Sequence, residues 1–116
     1  MTSALLDRTL IEEIRRIERA TGRTDVLAGF VRKLEETLRG FGAAFAAAVA
    51  RGDSTGAIRA AHTLKGTCRQ LGAVALGDLF DEIEASAKAG DFAEAQRKFD
   101  GGAALIAQSL DALKTA

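Results

Sequence analysis

Two Gly-Asp steps, Gly52-Asp53 and Gly90-Asp91, constrain the fold of this chain more than any other feature. Glycine ends a helix readily because it accepts the left-handed cap, and aspartate starts the next by accepting free N–H groups of its first turn. Each step therefore reads as one helix stopping and another starting with almost nothing between them. The 116 residues include no proline, which leaves glycine as the strongest punctuation. Such short connections between long helices favour antiparallel neighbours. The expected fold is all-α: an up-and-down antiparallel four-helix bundle with an additional N-terminal helix, in a single domain spanning 1–116.

Apolar spacing fills in the helices. Asp7 caps the first, Leu6 and Ile11 form a hydrophobic staple, and Leu10, Ile14 and Ile17 make its apolar face until Thr21-Gly22 stops it. Thr24 or Asp25 starts a long second helix carrying Leu27, Phe30, Val31, Leu34, Leu38, Phe41, Phe45 and Val49. Gly40 and Gly42 inside it mark a bend or the close approach of a neighbour. A third helix is expected over Ser54 to Leu71, and a fourth over Val74 to Ala89. The last runs from Phe92 to Lys114, with Asp91 and Glu94 as a capping-box-like pair and a weak point at Gly101-Gly102. The flanks of the two Gly-Asp steps do not match, which argues against a helical-repeat array.

Composition narrows the function. Sixteen basic and sixteen acidic residues cancel, which argues against a nucleic-acid binder relying on bulk positive charge. No apolar run approaches the roughly 20 residues of a membrane span. Asp7 and Arg8 directly after Leu5 and Leu6 argue against a secretory signal. The lone cysteine, Cys68, cannot form an internal disulfide, which fits a cytoplasmic location, and it lies on a core stripe as a small apolar residue. Arg15, Arg16, Glu18 and Arg19 read as a solvated face. The six phenylalanines read as mostly core, with one or two expected to surface beside the histidine.

The one histidine, His62, stands in Ala61-His62-Thr63-Leu64-Lys65-Gly66 on the third helix. Ile58, Ala61, Leu64, Cys68 and Leu71 form the core stripe of that helix, and His62 falls roughly 135° from its centre. Gly66 points away from the core with Arg59, Arg69 and Gln70 on the polar side. Lys65 flanks the boundary, its stem along the protein and its ammonium reaching out. A solvent-facing glycine in mid-helix costs about 1 kcal/mol relative to alanine, which makes sense if another molecule must approach there. Imidazole is largely neutral near pH 7, and its free nitrogen can attack a phosphoryl group. Lys65, at i+3, is placed to steady the phosphoryl oxygens. There is no phosphate-cradling loop, second histidine or convincing carboxylate cluster for Mg²⁺, so nucleotide and metal must come from a partner. A plain surface histidine is the competing reading.

With its flanking helices, His62-Thr63-Leu64-Lys65-Gly66 followed by Gly72 resembles the histidine-containing phosphotransfer (HPt) domains of two-component phosphorelays. Arg51-Gly52-Asp53 and Ala61 upstream, and Leu79-Phe80-Asp81-Glu82-Ile83-Glu84 downstream, extend the likeness over nearly the whole chain. The resemblance implies that His62 is the phosphoacceptor through Nε2, that Lys65 stabilises the phosphoryl group, and that Gly66 leaves room for a partner. It also implies that Glu84, on the facing helix, orients the imidazole by accepting from Nδ1–H. A solvated surface carboxylate is the other reading of Glu84. Arg69 and Gln70 stand where many relatives carry small residues, so with Arg59 and Gly66 they are read as partner-binding.

The function implied is a phosphoryl carrier, not an autonomous enzyme. It would exchange a phosphoryl group with the aspartate of a response-regulator receiver domain and take it from a sensor or hybrid histidine kinase. No cofactor is expected on this chain, with Mg²⁺ on the receiver, and no nucleic acid, membrane or obligate second copy, so the chain is read as a monomer. Glutamate at 84 also resembles the phosphotransfer segment of a chemotaxis-type kinase; the start at Met1 and lack of a trailing linker favour a free-standing carrier. A non-phosphorylated adaptor binding receivers is a further alternative, and an enzyme using His62 as general base ranks last. Leu6, Leu10 and Ile14 are candidates for the docking surface or for the core.

Overall fold

A computed structural model describes residues 5–116, so the first four residues of the expected domain lie outside the described residues. It contains α1 (Arg8–Thr21), α2 (Val26–Ala50), α3 (Ser54–Gln70), α4 (Val74–Lys88), α5 (Phe92–Gly101) and α6 (Ala103–Lys114), with no strand among the described residues. The Gly-Asp logic is visible in the backbone. Gly52 and Gly90 adopt left-handed φ values of 75° and 81°. Asp53 then accepts from the Gly56 N–H at 2.9 Å, and Asp91 from the Glu94 N–H at 3.0 Å. The Asp91 capping box is only half formed, since the Glu94 carboxylate turns to Arg97 at 2.9 Å.

Helices α2, α3, α4 and the α5–α6 pair form the up-and-down bundle, with the most extensive packing between α3 and α4. Phe41 lies at the centre of an aromatic cluster, its ring centroid 5.4 Å from Phe45, 5.2 Å from Phe80 and 4.9 Å from Phe99. Gly42 makes this possible, because a Cβ there would stand 3.0 Å from the Phe99 ring. The last helix is divided at Gly102, which is buried so tightly that a Cβ would come within 2.6 Å of the Leu79 side chain. The α4 side chain packs on bare backbone there, and the helix is interrupted for one residue before α6 begins at Ala103.

Helix α1 is fastened to the turn after α3. The Asp7 N–H donates to the Gly72 carbonyl at 2.6 Å, and Gly72, at φ +78°, has no room for a Cβ beneath the Asp7 carbonyl. Leu6, Ile11 and Ile14 join the core, so the latter reading of Leu6 and Ile14 applies, while Leu10 is half-buried.

Several expectations need correction. Ile17 does not continue the apolar face of α1 but is 54% exposed, and Phe30 on α2 is 49% exposed; Val49 is half-buried. Glu18, expected on a solvated face, is buried in their place. Its carboxylate accepts from the Leu27 N–H at 3.0 Å and from Arg15 at 2.8 Å. Asp25 sits at the cap position of α2 but makes no side-chain cap, so the helix N-terminus is satisfied by a glutamate from the preceding helix. The Leu27 N–H foremost, then Arg15, holds the Glu18 carboxyl below its usual range.

Candidate functional site

The site forms where α3 and α4 face each other. A core stripe of Ala57, Ala61, Leu64 and Cys68 seats α3 against the bundle and turns His62 outward; its side chain is 64% exposed. Ile58, expected on that stripe, is half-buried beside it. Gly66 has open space where a Cβ would stand. Cys68 is wholly buried, and burial pushes its thiol up to about 12, leaving it no nucleophilic character.

Glu84 is not a solvated carboxylate. Its side chain is 4% exposed, and Oε2 lies 2.9 Å from His62 Nδ1. Lys65 Nζ approaches Oε1 at 2.6 Å, and Lys88 Nζ approaches Oε2 at 3.1 Å. Both lysine contacts are ion pairs, one on each carboxylate oxygen, and the one from Lys65 is the shorter. Burial pushes the Glu84 carboxyl up, but Lys65, Lys88 and His62 together outweigh it and bring the value down to about 2. An ionised carboxylate can only accept, so the hydrogen on this edge of the ring belongs to Nδ1. In the neutral imidazole that leaves the Nε2 lone pair free, on the edge turned away from Glu84.

Lys65 departs from expectation. Its ammonium does not reach out but is half-buried and turned back to Glu84, with the Asp81 carboxylate at 3.4 Å as second partner. Glu84 first, against the effect of burial, holds it protonated beyond its ordinary range. Arg59 is exposed and lines an open hollow with Thr55, Ile58, His62 and Glu84. Arg69 is exposed, but its stem covers Gly77 and its guanidinium meets Asp78 at 3.4 Å, so α4 engages it. Gln70 lies farther along α3, in a groove with Ile14, Phe30, Lys33, Thr67 and Leu71. Phe30 thus surfaces near the far end of α3, not among the residues lining the His62 hollow.

Two members of the cluster escaped the sequence reading. Lys88 carried a usable signal, since glutamate followed four residues later by lysine is the favourable helical ion-pair spacing. Asp81 carried none beyond its place on the same helix. Among the described residues no group of three or more His, Cys, Asp or Glu side chains is placed to hold a metal ion, and no helix is long and apolar enough to cross a membrane.

The family model described as the Hpt domain matches residues 25–116, so α1 falls outside the match. No curated protein and no solved structure matches the chain.

Proposed function

This chain belongs to the Hpt domain family, and we propose from that premise that His62 carries a phosphoryl group between a kinase or receiver aspartate and another receiver aspartate. The observation carrying this reading is an exposed imidazole whose Nδ1 is held by a buried, ionised carboxylate. The Nε2 lone pair forms the bond to phosphorus while the bond from phosphorus to the aspartyl oxygen breaks, its electron pair leaving on the aspartate. No proton moves, because Nδ1 keeps its own. The ring becomes positive as the bond forms, and Glu84 stabilises that charge across 2.9 Å.

Lys65, one turn along α3, would turn its ammonium to the phosphoryl oxygens. Open space over Gly66 would let the partner's backbone approach closely. Phe30, one of two large hydrophobics exposed among the described residues, lines the groove that includes Gln70 near the end of α3 and supports docking along that helix. A receiver would bring the Mg²⁺ that in-line transfer from an acyl phosphate requires, and this chain would position the acceptor nitrogen.

The test is transfer from a phosphorylated receiver domain in the presence of Mg²⁺. Acid-labile, base-stable label should appear on the wild type and be absent from His62→Gln. Equal labelling of the two would sink the proposal. Full biological activity in His62→Ala would instead favour the adaptor reading.

A further inference from the structure

We propose that Lys88 is a positioning residue: it keeps Glu84 paired while the phosphoryl group on His62 draws Lys65 away. The inference rests on the carrier reading above and adds a division of labour between the two lysines. Glu84 is too deeply buried to stand ionised without a cation, since an uncompensated buried charge is strongly destabilising. In the unphosphorylated protein it has two, one on each oxygen. They differ in what else they can do. Lys65 comes from α3, one turn from His62, and already divides its ammonium between Glu84 and Asp81. Lys88 comes from α4, one turn beyond Glu84, and Glu84 is its one ion-pair partner among the described residues.

Forming the bond from Nε2 to phosphorus places about two negative charges within the reach of Lys65. To serve them the ammonium must leave Oε1, which it meets at 2.6 Å in the unphosphorylated protein. With Lys88 remaining on Oε2, beside the Nδ1 hydrogen bond, Glu84 stays both paired and oriented during this exchange. Without Lys88, each movement of Lys65 toward the phosphoryl group strips Glu84 of its last lysine. Lys65 is then held back, and the transfer loses its cation.

Phosphoramidate isolates this step from partner docking. The Nε2–P bond forms as the P–N bond of the donor breaks and ammonia leaves, so no receiver is needed. Phosphohistidine formation is followed by ³¹P NMR on the full chain, for wild type, Lys88→Met, Glu84→Gln and the double variant. We expect Lys88→Met to slow uptake about fivefold in the wild-type background and less than about twofold in Glu84→Gln, where no buried carboxylate is left to hold Lys65 back, with Lys88→Arg restoring the wild-type rate. A wild-type rate in Lys88→Met, or the same factor in both backgrounds, overturns the proposal, because a lysine acting otherwise than through Glu84 would act whether or not that carboxylate is present. Lys88 is exposed, and Lys88→Gln with a matching melting curve replaces the methionine variant if that one unfolds. Failure of the carrier reading looks different: wild type would form no phosphohistidine, or His62→Gln would form as much.

Discussion

Among the described residues two glutamates are buried, Glu18 and Glu84, and they are satisfied in opposite ways. Glu18 uses its carboxylate on the Leu27 backbone N–H and on Arg15, fixing α1 to the start of α2. Those partners are structural, and the arrangement is closed. Glu84 uses none of its capacity on backbone. Its partners are an exposed imidazole and two lysines, all of them side chains able to engage something else. Burial alone therefore does not distinguish a structural carboxylate from a functional one. What distinguishes them is whether the partners could leave.

Exchanging the two residues for alanine should break this comparison most sharply. Glu84→Ala removes the acceptor that fixes the Nδ1–H tautomer, and uptake from phosphoramidate should fall about 10- to 100-fold. Glu18→Ala should leave that rate unchanged. Its effect should appear as a melting temperature lower by several degrees, because it orphans the Leu27 N–H at the start of α2, while Arg15 keeps the Ala116 carbonyl as an acceptor. Equal rate losses in both variants would mean that the Glu84 effect is only destabilisation.

The same contrast explains what could be read from residues alone. Helix boundaries depend on local chemistry, so Asp53, Asp91, Gly52 and Gly90 announced them, and the outward position of His62 followed from the stripe Ala61, Leu64, Cys68. Glu18 was misread because its role depends on how α1 crosses α2. Periodicity places Ile17 and Glu18 on adjacent edges of one face, and only the crossing decides which edge is covered. Phe30 failed for the same reason on the facing helix. Glu84 lies between: α4 periodicity gave it no role, and its place near His62 came from the resemblance to a family. The retracted ammonium of Lys65 was not legible at all, since its direction is set by a carboxylate nineteen positions away on another helix.

Acid should separate the two carboxylates further, with a smaller effect. Glu84 is held at about 2, below its ordinary 4.5, so the stability it contributes is complete above the ordinary value. That contribution is lost as pH falls from 4.5 toward 2 and the folded carboxylate takes up its proton. The urea midpoint of the wild type should therefore drop across this window, and the drop should be shallower in Glu84→Gln, which has no proton to gain there. Glu18 is also lowered, so Glu18→Gln should flatten part of the same curve. The double variant should be flatter than either, and a wild-type slope in Glu84→Gln would contradict an ionised, paired carboxylate.

The smallest effect expected concerns two glycines, one in each kind of environment. Gly42 is closed over by Phe99, with 3.0 Å between the ring and a Cβ, so alanine there must displace an aromatic of the core. Gly66 meets nothing, and alanine there is free to take the ordinary helix preference. Gly66→Ala should therefore raise stability by up to about 1 kcal/mol in urea unfolding, and Gly42→Ala should gain less or lose. If the space over Gly66 admits a partner, a larger side chain should separate two rates. Gly66→Leu should slow transfer from a phosphorylated receiver while leaving uptake from phosphoramidate unchanged, because the small donor does not need a backbone's width of clearance. Equal slowing of both reactions would place the defect in the imidazole instead, and the gap above Gly66 would then have no bearing on docking.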